Sequence, residues 1–169
     1  MYLKADSAKE KWRLVFKVMC WNTILVTITV AIMYYFGQLT LNNYKNTHPQ
    51  FFLTLGKFSR FFWKDVWETG ILEEILFRGP AWILSSTGLI LYVKNFRLHP
   101  WLIGLAIFAP NYFWAIDHSP ATLPVFIAGL GYSWLVVRTK SLWPAVIAHS
   151  GSNLLIYLAI KIATLFLKI

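Results

Sequence analysis

The amino-acid sequence predicts an all-α fold, a polytopic membrane helix bundle with about five transmembrane spans and one further helix in the membrane interface. Of its 169 residues, 57% are hydrophobic and 18% aromatic, and the mean hydropathy is +0.54. The chain is thus far more apolar than an ordinary soluble domain. Four uncharged apolar runs approach the length of about 20 helical residues that crosses a bilayer core. They cover residues 18–36, 98–116, 118–137 and 141–160, and a shorter run covers 79–93.

The first part of the chain is predicted to contain a basic N-terminal segment, one transmembrane span, a loop and an interfacial helix. Residues 1–17 are basic and helix-prone, and the first span follows at about 18–36. The stretch 37–50 is polar and rich in turn-forming residues, so we expect a loop. Residues 51–64 mix Phe and Trp with three basic residues. That combination is typical of a helix lying in the membrane interface.

Four further spans are predicted at about 66–93, 98–117, 121–137 and 142–162. The Gly79-Pro80 pair predicts a kink within the second span, because a proline inside a helix removes a backbone hydrogen bond. The sequence shows no internal repeat and no long linker. We therefore expect one membrane-embedded domain over residues 1–169.

The charge distribution favours a lipid bilayer as partner and excludes nucleic acid. The net charge is +9, but the basic residues flank the apolar runs and do not form one patch. With the N-terminus inside, nine Lys and Arg residues fall on inner segments and six on outer ones, which predicts that orientation. We expect an integral protein of the bacterial cytoplasmic membrane. The single cysteine, Cys20, excludes an internal disulfide.

Two adjacent glutamates and an arginine interrupt the second span. Each charge at membrane depth costs about 2.5–3.5 kcal/mol on insertion scales. We therefore expect these residues to have a structural or functional role. Glu74 and Arg78 are four residues apart, which predicts an ion pair on one helix face. Glu73 points about 100° away, so we expect it to be unpaired. A glutamate of that kind is suited to act as a general base.

Further polar residues interrupt the other spans. His118 closes the third span, and His149 and Asn153 lie four residues apart on one face of the fifth, with small residues between them. These polar groups lie on three different spans. The Glu73 carboxylate, His118 and the His149–Asn153 pair can therefore come together only in the interior of the helix bundle. Each feature also has a simpler interpretation. The Glu–Arg pair can lock helices together, His118 can be interfacial, and His149 can make an interhelical hydrogen bond.

Taken in order, these residues resemble the three motifs of the CPBP family, the CAAX proteases and bacteriocin-processing enzymes also called Abi. "EEILFR" matches E-E-x-x-x-R, His118 matches the histidine of F-x-x-x-H, and "HSGSN" matches H-x-x-x-N. The resemblance covers about residues 67–160. The second motif departs from the family pattern, because Trp114 stands at the Phe position, with Phe113 beside it.

The resemblance implies a role for each motif residue. Glu73 and His118 would activate the nucleophile, and His149 with Asn153 would stabilise the oxyanion. Glu74 and Arg78 would support the site. Oxyanion donors fixed in a dry pocket are worth about 3 kcal/mol or more each.

No metal and no other cofactor are expected. Three of the candidate residues, Glu73, His118 and His149, could supply zinc ligands with an open water position. The chain has no HExxH-like spacing, however, and the resemblance implies a glutamate-activated water without a metal. Zinc is therefore the less favoured alternative.

The predicted reaction is attack on a carbonyl of a lipidated or membrane-associated peptide, with a glutamate- and histidine-dependent protease as the first choice. With the N-terminus inside, Glu73 and His118 lie towards the outer ends of their spans, so we expect an extracytoplasmic-facing site. An acyltransferase in lipoprotein N-acylation is the alternative, and a non-catalytic protein of the bacteriocin-immunity type is the second alternative. The short chain favours a small lipidated substrate or a partner enzyme.

Overall fold

The computed structural model describes residues 7–37, 57–86, 99–119 and 121–167, and all regular structure within these ranges is helical. We number its five main helices in chain order. They are α1 (Ala8–Tyr35), α2 (Thr69–Ser86), α3 (His99–Ile116), α4 (Thr122–Thr139) and α5 (Trp143–Leu167). The predicted all-α bundle is confirmed, and the last three spans were predicted to within a few residues at their starts.

The first helix begins at a reciprocal cap, well before the predicted span. The backbone N–H of Ser7 donates to Oε2 of Glu10 at 2.7 Å, and the backbone N–H of Glu10 donates to Oγ of Ser7 at 3.3 Å. This capping box satisfies two N–H groups that lack partners within the helix. The described residues of the basic N-terminal segment from Ala8 onwards and the first span form one continuous helix.

A π-helical segment, Phe61–Glu68, leads directly into α2 and follows a short turn at Phe58–Arg60. Residues 38–56 lie outside the described ranges, so the predicted loop and the start of the predicted interfacial helix are not described. The described part of that helix continues into α2 without a loop. It also buries Phe61, whose ring stacks on Tyr157 of α5 with centroids 4.4 Å apart.

Helix α2 continues through Pro80 to Ser86. The rest of the predicted second span lies outside the described ranges. Near this end, the indole N–H of Trp82 donates to the carbonyl of Lys140 at 3.2 Å. Lys140 ends α4 in the left-handed conformation, with φ of 53°, and α5 starts three residues later. This contact joins α2 to the turn between α4 and α5.

Three helices contain segments long and apolar enough to cross a membrane, namely Ala8–Met33, Thr122–Thr139 and Trp143–Ile162. Helix α3 contributes the shorter apolar segment Trp101–Ile116. Helix α2 is interrupted by its two glutamates and one arginine. Large apolar side chains also cover much of the outer surface, as on α1, where Ile24, Ile28 and Ile32 are exposed. The protein is an integral membrane protein.

The core between the helices combines apolar packing with buried polar groups. Trp114 of α3, Tyr132 and Leu135 of α4, and Ala148 of α5 belong to one buried cluster, which Val15 of α1 joins. Next to this cluster, Glu74 and Arg78 of α2 are completely buried. The fold thus places the charged turn of α2 against the aromatic residues of α3 and α4.

Candidate active site

Glu74 and Arg78 form the ion pair that their spacing predicted. Oε1 of Glu74 lies 3.3 Å from Nη1 of Arg78, and both side chains are fully buried. The guanidinium also lies over the Trp114 ring, 4.0 Å from its centroid, and 5.5 Å from that of Tyr132. Within the described residues, none of the three guanidinium nitrogens meets hydrogen-bond geometry. Charge and aromatic contacts therefore hold Arg78 in place.

His149 connects the two glutamates. Its Nδ1 lies 3.0 Å from Oε1 of Glu74, and its Nε2 lies 3.7 Å from Oε2 of Glu73. Because an ionised carboxylate only accepts hydrogen bonds, Nδ1 of His149 carries the proton that joins it to Glu74. The opposite nitrogen, Nε2, is left directed towards Glu73.

Glu73 is not unpaired, and that expectation is wrong. The indole N–H of Trp114 donates to its Oε2 at 2.6 Å. The reason lies in the helix geometry, since the angular offset that separates Glu73 from Arg78 turns its carboxylate towards α3. The side chain keeps 21% of its surface exposed, whereas Glu74 is completely buried. Of the two carboxylates, Glu73 is the one that a substrate can reach.

His118 lies in the turn after α3 and packs against the same tryptophan. Its Nδ1 is 2.8 Å from the carbonyl oxygen of Trp114, and the two ring centroids are 5.0 Å apart. A carbonyl oxygen only accepts, so Nδ1 of His118 is the donor and a neutral ring has its lone pair on Nε2. The imidazole is partly exposed. Trp114 therefore contacts both residues that the family resemblance implicates in activating the nucleophile.

Asn153 is less closely involved. It lies one helical turn after His149 on α5 and is partly exposed. No hydrogen bond joins it to another described residue. The structure thus brings Glu73, Glu74, Arg78 and His149 into direct contact. It places Asn153 on the same helix as His149, with no hydrogen-bond partner in the described ranges.

Several residues around the site were not predicted. Tyr132 stacks on the His149 ring with centroids 5.0 Å apart and an interplanar angle of 18°. Asn111 is fully buried, and its Nδ2 donates to Oγ of Ser133 and to the carbonyl of Ile107, both at 2.7 Å. An asparagine within the uncharged run 98–116 is the sequence signal that could have revealed it, because polar groups inside membrane helices need partners.

The structure does not provide the three zinc ligands that the less favoured alternative required. Within the described part of the chain, no three His, Cys, Asp or Glu side chains lie close enough together to hold a metal ion. The Nδ1 of His149 is also already bonded to Glu74. We therefore derive no step of the reaction through a metal.

The residues of this site lie within the part of the chain that matches a known protein family. The family model for the Rce1-like type II CAAX prenyl endopeptidases matches residues 61–155, more than half of the chain. The chain belongs to this family. The resemblance to CAAX proteases is thus confirmed, and membership of the Rce1-like family supports an intramembrane protease. No curated protein matches the chain, and no solved structure does.

The match to the Rce1-like family contains every candidate site residue, from Glu73 to Asn153. It also contains α3, α4 and the segment that leads into α2. Helix α1 lies before it. The first helix lies outside the matched residues but packs against the same core.

Proposed function

We propose that this protein is an intramembrane endopeptidase in which Glu73 and His118 activate a water molecule for attack on a peptide carbonyl. The observation that carries the proposal is the environment of the Glu73 carboxylate. Trp114 holds one of its oxygens at 2.6 Å, His149 approaches the same oxygen, and the side chain remains partly exposed. A carboxylate that is fixed and reachable meets the geometric requirement for a general base.

The proposed reaction begins with water bound between Glu73 and His118. Glu73 takes a proton from the water as its oxygen bonds to the carbonyl carbon, and Nε2 of His118 accepts a hydrogen bond from the same water. The backbone carbonyl of Trp114 keeps that nitrogen available by binding Nδ1. The C–N bond then breaks, and the proton passes from Glu73 to the leaving amine. The water oxygen stays on the new carboxyl group and the proton stays on the new amine, so the reaction consumes only the peptide and water.

The negative charge that develops on the carbonyl oxygen has to be stabilised by hydrogen-bond donors. His149 is held by Glu74 through Nδ1, which leaves Nε2 to donate to the oxyanion when the ring is protonated. Asn153 follows one turn later on α5, and its lack of a partner among the described residues leaves its amide available for the same oxygen. A donor that is fixed before the reaction needs no reorganisation during it. Glu74 and Arg78 act here as supports that fix the His149 ring.

The proposed substrate is a lipidated or membrane-associated peptide. The site lies inside a helix bundle whose outer surface is largely apolar, so a substrate anchored in the bilayer can reach it without leaving the membrane. We propose an inside N-terminus in a bacterial cytoplasmic membrane, which puts the turn holding His118 on the outer side. A variant with its only cysteine at position 119 tests this, since a membrane-impermeant thiol reagent added to intact cells must label it.

The decisive experiment compares lipoproteins and lipidated peptides from cells with and without the protein by mass spectrometry. We expect shortened peptides only when the wild-type protein is present, and none with Glu73→Gln or His149→Ala. Glu68→Gln is the matched control, because Glu68 is exposed on the same helical stretch. If both site variants keep full activity, the catalytic proposal is wrong. A changed acyl chain on an N-terminal cysteine, with no shortened peptide, would replace proteolysis by acyl transfer.

A further inference from the structure

The imidazole of His149 is held at one atom by a hydrogen bond and along one face by an aromatic ring. Its Nδ1 lies 3.0 Å from Oε1 of Glu74. A single bond of this kind lets the ring tilt about that nitrogen, so it does not fix the direction of Nε2. The ring of Tyr132 stacks on the imidazole with centroids 5.0 Å apart and an interplanar angle of 18°. Trp114 meets the same imidazole at 75°, with centroids 5.4 Å apart. The two aromatic rings therefore define the plane in which Nε2 lies.

Tyr132 is itself fixed by the core of the bundle. Its side chain is only 2% exposed and belongs to the buried cluster that contains Trp114 and Leu135. The Trp114 ring meets it edge-on, with centroids 6.2 Å apart and an interplanar angle of 63°. The Arg78 guanidinium lies 5.5 Å from the centroid of the Tyr132 ring. A large side chain packed this closely has few alternative positions, so its ring offers His149 a rigid surface.

The close approach of α4 to its neighbours brings this ring to the site. A Cβ at Gly129, three residues before Tyr132, would lie 2.8 Å from Nη2 of Arg78. Because residues three apart share a helix face, the glycine and the tyrosine both face the polar core. The absence of a side chain at Gly129 lets α4 approach α2 closely. On α1, Asn22 donates to the carbonyl of Ala128 at 3.3 Å, which holds α4 in this place.

We propose that Tyr132 is a positioning residue of the active site, which holds the plane of the His149 imidazole and so directs Nε2 towards the oxyanion. This inference rests on the proposed function, because it assumes that His149 donates to that oxygen. The role belongs to the face of the tyrosine ring and not to its hydroxyl. Helix α4 carries none of the residues with a chemical role in the proposed reaction, but through Tyr132 it becomes part of the working site.

The kinetic test compares Tyr132→Leu with Tyr132→Phe in proteoliposomes that contain a fluorogenic lipidated peptide. Leucine removes the stacked ring, and we expect kcat to fall at least about tenfold, because a displaced catalytic group slows the chemical step. The KM should be unchanged, since the oxyanion forms only after the substrate has bound. Phenylalanine keeps the ring, so Tyr132→Phe should be much faster than Tyr132→Leu. A phenylalanine variant as slow as the leucine variant would overturn the proposal.

Tyr157→Leu is the matched control. Tyr157 is also fully buried, and it stacks on Phe61 with centroids 4.4 Å apart, in a cluster separate from that of Tyr132. We expect both leucine variants to lower the melting temperature in detergent, since each removes an aromatic ring from the core. Assayed well below both melting temperatures, only Tyr132→Leu should lower kcat. An equal loss of kcat in Tyr157→Leu would make Tyr132 an ordinary packing residue and would also overturn the proposal.

A second measurement needs no substrate. The ring current of a stacked aromatic residue shifts nearby protons upfield, so the His149 ring protons should move downfield in Tyr132→Leu and much less in Tyr132→Phe. His149→Gln assigns these resonances. Cross-relaxation between the ring protons of His149 and Tyr132 in the wild-type protein tests the contact even if Tyr132→Leu fails to fold, and its absence would contradict the proposal. If this contact is present but Glu73→Gln remains fully active, the proposed function itself fails, and the two failures are thereby distinguished.

Discussion

The indole N–H of Trp114 on α3 donates a 2.6 Å hydrogen bond to the Glu73 carboxylate on α2. This bond joins the helix that carries both glutamates to the helix that precedes His118. The same indole lies beneath the Arg78 guanidinium and against the ring of His149. One side chain therefore fixes the spacing of four polar residues. A phenylalanine at this position keeps a ring there but supplies no donor.

Trp114→Phe tests the importance of this donor. Hydrogen bonds to charged groups contribute about 1.5–3 kcal/mol, so we expect peptidase activity to fall about 10- to 150-fold. The remaining ring should preserve packing against Arg78, but the melting temperature in detergent should also fall, because the same hydrogen bond contributes to stability. Trp101→Phe on the same helix is the control, because Trp101 is 77% exposed. Equal activities in the two variants would show that the Glu73 carboxylate does not depend on the indole N–H.

Arg78→Met should strongly destabilise the folded protein. It removes the guanidinium paired with the fully buried Glu74, and breaking a buried ion pair from one side costs about 3–5 kcal/mol. The neutral double variant Glu74→Gln/Arg78→Met should recover part of this loss, because it leaves no unpaired charge. Thermal unfolding in detergent measures both effects, with exposed Arg60→Met as control. A double variant less stable than Arg78→Met would contradict this explanation.

Local spacing predicted the parts of the site that one helix determines. The Glu74–Arg78 pair follows from four residues of separation on α2, and its geometry needs no knowledge of the other helices. The starts of α3, α4 and α5 were also predicted closely, because each lies within four residues of the start of an uncharged run. Such features depend on periodicity and composition, which the sequence contains directly.

Contacts between helices could not be obtained in this way. The bonds from Trp114 to Glu73 and from His149 to Glu74 span 41 and 75 residues. Each depends on how two helices rotate against each other, which helical periodicity does not specify. The buried Asn22 and Asn111 had a usable signal, since an amide within an apolar run predicts an interhelical bond. Their partners still had to come from the structure.

Gly129→Ala should disturb the polar core beside the ion pair. A Cβ at Gly129 would overlap the Asn111 carboxamide oxygen and lie 2.8 Å from Nη2 of Arg78. Overpacking of this kind costs about 1–3 kcal/mol, which should be seen as a lower melting temperature. Adding Asn111→Ala should relieve the overlap with the carboxamide. The control is Gly104→Ala on α3, where an added methyl group meets nothing within 4 Å. Similar melting temperatures for both glycine variants would rule out the predicted overlap.

Peptidase activity should survive metal chelation. The proposed steps use carboxylate, imidazole and amide groups of the chain, and the described residues bring no three metal-ligating side chains together. We expect full activity after treatment with o-phenanthroline and dialysis, and no stoichiometric zinc in the purified protein by elemental analysis. Loss of activity that added zinc restores would instead require a metal in the mechanism.

Gly70 and Ser150 set the distance between α2 and α5, the two helices that carry the glutamates and His149. A Cβ at Gly70 would lie 2.5 Å from Oγ of Ser150 but 3.7 Å from its Cβ. That hydroxyl donates to the carbonyl of Val66 in the π-helical segment at 2.9 Å. Gly70→Ala alone should therefore push the helices apart, with a lower melting temperature and reduced activity.

Ser150→Ala removes only the hydroxyl, and the lost hydrogen bond should cost about 1 kcal/mol. In the double variant Gly70→Ala/Ser150→Ala the new methyl group meets its neighbour at an ordinary contact distance. We therefore expect the double variant to melt at a higher temperature than Gly70→Ala alone, whereas independent sites would give additive losses. Gly79→Ala, which meets nothing within 4 Å on the same helix, controls for the cost of alanine itself. Additive losses would mean that Gly70 and Ser150 are not in contact and that another residue sets the spacing of α2 and α5.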